Sequence, residues 1–283
     1  MKIASECYLC LFRQIYNLTR RMSLNESKAG ELLRGSAEIL SKYSMDVTPP
    51  EIAAEVYEFV AKTTGVKDPF LKAKKEAVSE ALKFKKLFEE KLKSSENFLL
   101  DACKIAVAGN VIDLGVNQEY NIEKEIGRIF EFNFKYNDFE EFQKQLDSAQ
   151  KIVYLADNAG ENIFDEILVS AIKKRDVEVY YFVRGKPVIN DVTFEDVKNL
   201  KIAELAEIVD TGVPSPGFHL NFANEKSKKL FYEADMVISK GMGNFECLFE
   251  ECEREVFYFF KVKCDVVAKK IKAGVGDYIL KKQ

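Results

Sequence analysis

From Lys151 onward, short apolar, β-branched segments alternate with segments whose apolar residues recur at helical spacing. The strand-like pieces cover 152–155, 177–183, 207–209, 236–239, 256–260 and 278–280. Strands separated by helices in this way build βαβ units. A mostly parallel sheet covered on both faces follows, a three-layer α/β/α arrangement. Residues 1–110 are of another kind. Tyr8, Leu11, Phe12, Ile15 and Leu18 make one apolar helix face. Ser23 with Glu26, and Thr48 with Glu51, read as capping boxes that open further helices, the second with Pro49 at its first position. Asp68-Pro69 begins a long helix, and another covers roughly 97–108. Two amphipathic helices are expected over roughly 119–150, with Ile122, Ile126 and Ile129 sharing a face in the first. The expected organisation is a helical N-terminal domain, 1–110, packed closely on an α/β domain, 111–283.

Bulk properties narrow the function classes. A formal net charge of −4 over 283 residues gives no electrostatic case for nucleic acid. No apolar run is long enough to span a bilayer, and Glu6 and Arg13 interrupt any signal-like segment. A cytoplasmic protein is the expectation, and its six cysteines then serve as thiols or metal ligands. Abundant Lys and Glu, a single His and no Trp lean toward a thermophilic source.

In an open parallel sheet, ligands bind at the carboxyl ends of the strands. Four loops follow strands here. They contain Asp157-Asn158, Asn190-Asp191, Asp210-Thr211-Gly212, and Lys240-Gly241-Met242-Gly243-Asn244-Phe245-Glu246. Convergence of these loops brings Asp157, Asn158 and Asp191 together as hard oxygen ligands for a divalent cation. Glu161 and Glu246 add acids and Lys240 a cation. The glycines let backbone approach an anion closely. Such a set suits a metal that holds a phosphate. Each piece also has a plain reading: Asp157 or Asn158 as a helix cap, Asn190-Asp191 as a turn, Lys240 as a solvated lysine.

Taken in order, these stretches resemble the metal-dependent damage-control phosphatases. Cys7-x-x-Cys10-x-x-Arg13-Gln14, Asp68-Pro69-Phe70, Ala108 to Asp113 and Lys263-Cys264 extend the match over nearly the whole chain. The CxxC, GNFE and KC elements resemble the stand-alone microbial subfamily. Phe70 and Val78 depart from the family's pattern, which would carry Tyr and Asn there. The resemblance implies hydrolysis of phosphate monoesters supported by Mn²⁺, Co²⁺, Ni²⁺ or Mg²⁺ held by Asp157, Asn158 and Asp191. The substrates would be small phosphorylated metabolites, sugar phosphates and nucleotides among them. Removal of damaged metabolites would be the role. It places Lys240 and the backbone from Gly241 through Gly243 to Asn244 around the phosphate, with Glu161, Asn190 and Lys263 close by. Either water or Asp157 itself could attack phosphorus.

Cys7 and Cys10, three apart on one helix face, are half a zinc site or a pair of packing thiols. Cys264 is the third cysteine of the pattern. His219, the single histidine, excludes a His-rich centre. Two other functions compete. An S-adenosylmethionine-dependent carboxyl methyltransferase suits the sheet but lacks the glycine-rich first βα turn. A phosphometabolite-binding regulator would bind without turnover. The sequence does not specify an oligomeric state.

Overall fold

The structure, a computed structural model, describes residues 1–109 and 122–283, the side chains of 122–126 excepted. The expected boundary at 110, the match from Asn110 to Asp113, and the Ile122 and Ile126 face lie outside the described residues.

Five helices come first: α1 (Ser5–Arg21), α2 (Glu26–Leu40), α3 (Pro49–Thr64), α4 (Leu71–Leu92) and α5 (Phe98–Ala108). Thr48 and Glu51 form the expected capping box with Pro49 at the start of α3. At α2 the expectation fails. Asn25, not Ser23, is the N-cap and accepts a hydrogen bond from Lys28 N, while Ser23 turns through φ 51° just before it. Next come α6 (Ile122–Glu131), β1 (Tyr136–Asn137) and α7 (Phe139–Ser148). The alternating region then holds β2 (Lys151–Leu155), α8 (Glu161–Ile172), β3 (Glu178–Val183), α9 (Phe194–Val197), α10 (Ile202–Leu205) and β4 (Glu207–Asp210). It ends with α11 (Glu225–Glu233), β5 (Met236–Lys240), α12 (Gly241–Leu248), β6 (Phe257–Lys261), α13 (Asp265–Ile271) and β7 (Tyr278–Lys282).

The strands form one seven-stranded sheet in the order β1-β7-β6-β5-β2-β3-β4. Among the described strands, only the β6–β7 pair is antiparallel. The α/β class and all six expected strands are therefore present. The two-residue β1 was not legible, because two residues carry no periodicity. Alternation decides the layers. Ile152 and Tyr154 of β2 point into the core shared with α4, α5, α7 and α8, and Val153 and Leu155 into the core under α11, α12 and α13. A third cluster joins α1, α2 and α3 to Val188 of the loop after β3. No described helix is long and apolar enough to cross a membrane.

From β2 the chain winds one way, to β3 and β4. It then returns to β5 on the other side of β2 and continues to β6. The loops after β2 and β5 therefore flank the switch point, where the crevice of an open α/β sheet lies.

Candidate active site

Asp157 and Asn158 follow β2 directly, and Asp191 lies in the loop after β3. The two loops pair with each other. Ala159 N donates to Asn190 O at 2.8 Å and Val192 N to Asp157 O at 2.9 Å, with Asn158 opposite Asp191 in an antiparallel bridge. Backbone pairing thus brings together carboxylates 34 positions apart in sequence, the difference between 157 and 191.

These side chains face a cavity of about 350 Å³. Of the expected site residues, Asp157, Asn158, Asn190, Asp191, Gly243 and Lys263 line it, and so does Glu246. Glu161, Lys240, Gly241 and Asn244 do not; they stand behind the lining. Lys240 is 1 % exposed. Its ammonium donates to Asp165 Oδ1 at 2.8 Å and Glu161 Oε2 at 3.3 Å. The expectation of a lysine reaching into the site therefore gives way to a buried ion cluster. Asp165 lies one turn after Glu161 on α8, so both carboxylates meet the same cation. Tyr154 and Tyr181 hydroxyls donate to the two Asp165 oxygens at 2.6 and 2.8 Å. Burial pulls the Lys240 pKa down, but Asp165, Glu161 and Asp157 outweigh it and raise it above the ordinary lysine value.

Gly241 and Asn244 shape the floor. Gly241 adopts φ +79°, and its bare α-carbon lets Asp157 pack against it. Asn244 donates to Ala156 O at 2.9 Å and Lys240 O at 2.6 Å, and accepts from Phe218 N at 2.6 Å. It also accepts from Arg184, a residue the sequence reading passed over. Arg184 Nη2 donates to Asn244 Oδ1 and Ala156 O, each at 3.1 Å, and Nε to Asp191 Oδ2 at 2.8 Å. Gly217 N reaches the same Asp191 oxygen at 3.3 Å. The signal for Arg184 was a charge directly after the apolar strand β3. For Asp165 it was a carboxylate within the apolar run of α8.

The electrostatics are those of crowded acids. Burial, then the neighbouring Asp191, pushes Asp157 up to about 7. Burial lifts Glu161 to about 7 against the pull of Lys240. Asp191 is raised by burial despite Arg184. Burial, with Asp157 nearby, brings Glu246 to about 7. Asn158 donates through Nδ2 to Asp157 Oδ2 at 2.9 Å and Glu161 Oε1 at 2.8 Å. Two carboxylates thereby orient the amide, and its carbonyl oxygen is the atom with capacity for a cation. Among the described residues, no three His, Cys, Asp or Glu side chains meet closely enough to hold a metal by themselves. Two aspartates plus one amide oxygen form a hard, oxygen-only set, and a divalent cation would relieve the crowding of negative charge.

Cys7, Cys10 and Cys264 line the same cavity and are free thiols. Burial pushes Cys7 up to about 11, so it is a protonated thiol at neutral pH. His219 is buried away from the cavity, its Nε2 3.5 Å from Glu51 Oε2, and burial lowers its pKa.

Comparison with known proteins agrees with this architecture. Residues 3–279 match the family model of the damage-control phosphatase ARMT1-like domain. The chain is 33 % identical to an uncharacterised protein of Methanocaldococcus jannaschii, covering 100 % of this chain and 96 % of that one. It is 31 % identical to a damage-control phosphatase of Archaeoglobus fulgidus, over 99 % of each chain. A crystal structure of a family protein from Pyrococcus horikoshii superposes with a TM-score of 0.92 at 28 % identity, covering 99 % of this chain and 98 % of that one. With one family model spanning nearly every residue and the same fold in a solved relative, the chain belongs to the damage-control phosphatase family with the ARMT1-like domain.

Proposed function

We propose that this protein hydrolyses phosphate monoesters of small metabolites, with a divalent cation held by Asp157, Asn158 and Asp191. The observation that carries the reading is the cluster of buried acids at the switch point, two of them on paired loops with an oriented amide between. When bound, the cation would supply charge neutralisation for phosphoryl oxygens and a lowered pKa for water. Mn²⁺, Co²⁺, Ni²⁺ and Mg²⁺ all suit oxygen donors.

The remaining functions fall to protein groups. The first turn of α12, where Met242 and Gly243 line the cavity, offers backbone N–H groups to an anion. Lys263, whose charge acts on Asp157 and Glu161, adds a cation at the cavity wall. Arg184 holds Asp191 by one oxygen. Glu246, protonated up to about pH 7, is the candidate to protonate the leaving alcohol as the P–O bond breaks. Sugar phosphates and nucleotides are the first classes to try.

The test is phosphate release from a panel of phosphomonoesters by chelated protein resupplied with each metal. Metal-dependent release that disappears in Asp157→Ala and Asp191→Ala is expected. No release with any metal would overturn the reading, and methyl transfer to a carboxylate would replace it.

A further inference from the structure

Two buried lysines on α4 tie the N-terminal helices to the α/β part, at different places. Lys85 donates to Glu166 Oε2 at 2.5 Å, midway along α8, where Glu166 Oε1 also accepts from Ile202 N at 3.3 Å. Lys74 is 2 % exposed; its ammonium lies 2.7 Å from Asp68 Oδ2 and donates to Asp196 Oδ2 at 2.7 Å. Asp68 is itself held, its Oδ1 accepting from Phe70 N at 2.9 Å. The Asp196 oxygen that meets Lys74 also accepts from Thr193 N at 2.9 Å and Thr193 Oγ1 at 2.7 Å. Thr193 stands two residues beyond Asp191 and pairs with Arg184 in a parallel bridge. Between them, Val192 O accepts from Arg184 N at 2.9 Å and Val192 N donates to Asp157 O at 2.9 Å. Three residues further along α4, Ala77 meets the other loop: a β-carbon on Gly160 would stand 3.1 Å from Ala77 Cβ and 3.3 Å from its carbonyl oxygen. Positions three apart share a helix face, so Lys74 and Ala77 together brace the two loops that carry Asp157, Asn158 and Asp191.

Resting on the cation site of the phosphatase reading, we propose that Lys74 is a positioning residue. Through Asp196 and Thr193 it holds the loop that presents Asp191 beside Asp157. A capping box needs no lysine, and the one at the start of α9 is closed by Thr193 and Asp196 alone. Lys74 adds a charged tie from 122 positions earlier in the chain. Taking that charge out of water is unfavourable unless its partners are well placed. An apolar side chain would pack against the loop without fixing any one oxygen of it, whereas a charge-assisted hydrogen bond is short and directional. Hydrogen-bonded supports of a metal ligand set its orientation, so the effect of the tie falls on the cation site. Lys85 has the same chemistry and joins the same two parts, but Glu166 and Ile202 belong to neither ligand loop.

The experiment titrates Mn²⁺ into the chelated full chain by calorimetry and follows thermal unfolding of the same samples. Lys74→Met should weaken Mn²⁺ binding at least about tenfold. Lys85→Met strands a buried carboxylate in the same way and is the matched control. It should lower Tm yet leave the Mn²⁺ Kd within about twofold of wild type, as expected of a site that shares no partner with the ligands. Thr193→Val keeps the side-chain shape, removes one donor to Asp196 and leaves α4 untouched; it should weaken binding in the same direction. Combined with Lys74→Met, its effect should fall short of the product of the two, because both act through one carboxylate. A Kd unchanged in Lys74→Met, or weakened equally by Lys85→Met, would overturn the inference and leave the phosphatase reading intact. Losses that multiply in the double variant would overturn the route through Asp196. If Lys74→Met does not fold, Thr193→Val decides, and an unchanged Kd there overturns the inference. Wild-type protein that binds no Mn²⁺ would overturn the cation site and the role of Lys74 together.

Discussion

A β-carbon on Gly241 would stand 1.9 Å from Oδ2 of Asp157, and the glycine backbone already sits at φ +79°. The junction of β5 with α12 and the first acid after β2 are therefore in contact through a position that tolerates no side chain. Gly241→Ala must displace either the carboxylate or the start of α12. The expected outcome is a loss of about 1–3 kcal/mol of stability from the strained backbone alone, with metal-dependent activity reduced at least about a hundredfold. Thermal unfolding and phosphate release measured on the same sample check it. Wild-type activity in the variant would exclude this contact from the site.

Arg184 is 1 % exposed and holds Asp191, Asn244 and Ala156 O at once. Replacing it with Met leaves a buried carboxylate without its cation, a change that commonly costs about 3–5 kcal/mol. Supporting groups of this sort also tune metal affinity, about 10–100-fold where measured in other proteins. Arg184→Met should therefore raise the metal concentration needed for half-maximal activity by that factor. Unchanged metal dependence would leave Arg184 as a packing residue only.

If Glu246 protonates the leaving group, its removal matters most when the leaving alcohol is a poor one. Glu246→Gln should lower kcat on alkyl phosphates by about a hundredfold or more, yet spare p-nitrophenyl phosphate, whose leaving phenolate needs no proton. In the wild type, kcat for alkyl phosphates should fall above about pH 7 as the acid ionises. Equal losses on both esters would contradict this role.

Lys240 is bonded to Asp165 and Glu161 within the protein. Lys240→Met should destabilise the fold by about 3–5 kcal/mol. Pairing it with Asp165→Asn should recover part of that stability, because Asp165 then carries no charge and can still accept from Tyr154 and Tyr181, and Glu161 alone is left without its cation. A single variant that folds with wild-type stability but a raised KM for phosphate esters would show instead that Lys240 reaches substrate.

The acid cluster also fixes the sign of a pH effect. Asp157, Glu161 and Glu246 titrate near 7 in the folded protein, above their ordinary values of 3.8 and 4.5. A carboxyl group held above its unfolded value binds its proton more tightly in the folded state. Its stabilising contribution is complete below the unfolded pKa and lost as pH rises to about 7. Chelated protein should therefore melt at a higher temperature near pH 5 than near pH 8. A divalent cation should raise Tm more at pH 8, and this gain should vanish in Asp157→Asn. A metal-induced gain larger at pH 5 would reverse the assignment.

Local pattern was enough for much of this molecule. Alternation from Lys151 to Leu280 gave the parallel α/β class, because strand and helix periodicities are properties of neighbouring residues. It also located Asp157, Asn158 and Asp191, because a strand's carboxyl end is recognisable from the strand itself. Pairing between distant loops left no such trace. The antiparallel bridge of Asn158 with Asp191, the use of Arg184 to hold Asp191, and the withdrawal of Lys240 onto Asp165 each depend on which segments become neighbours in space. The cavity lining is the same kind of fact. Leu11 reads as part of an ordinary apolar helix face in sequence. Only the packing of α1 over the strand ends turns it toward a cavity.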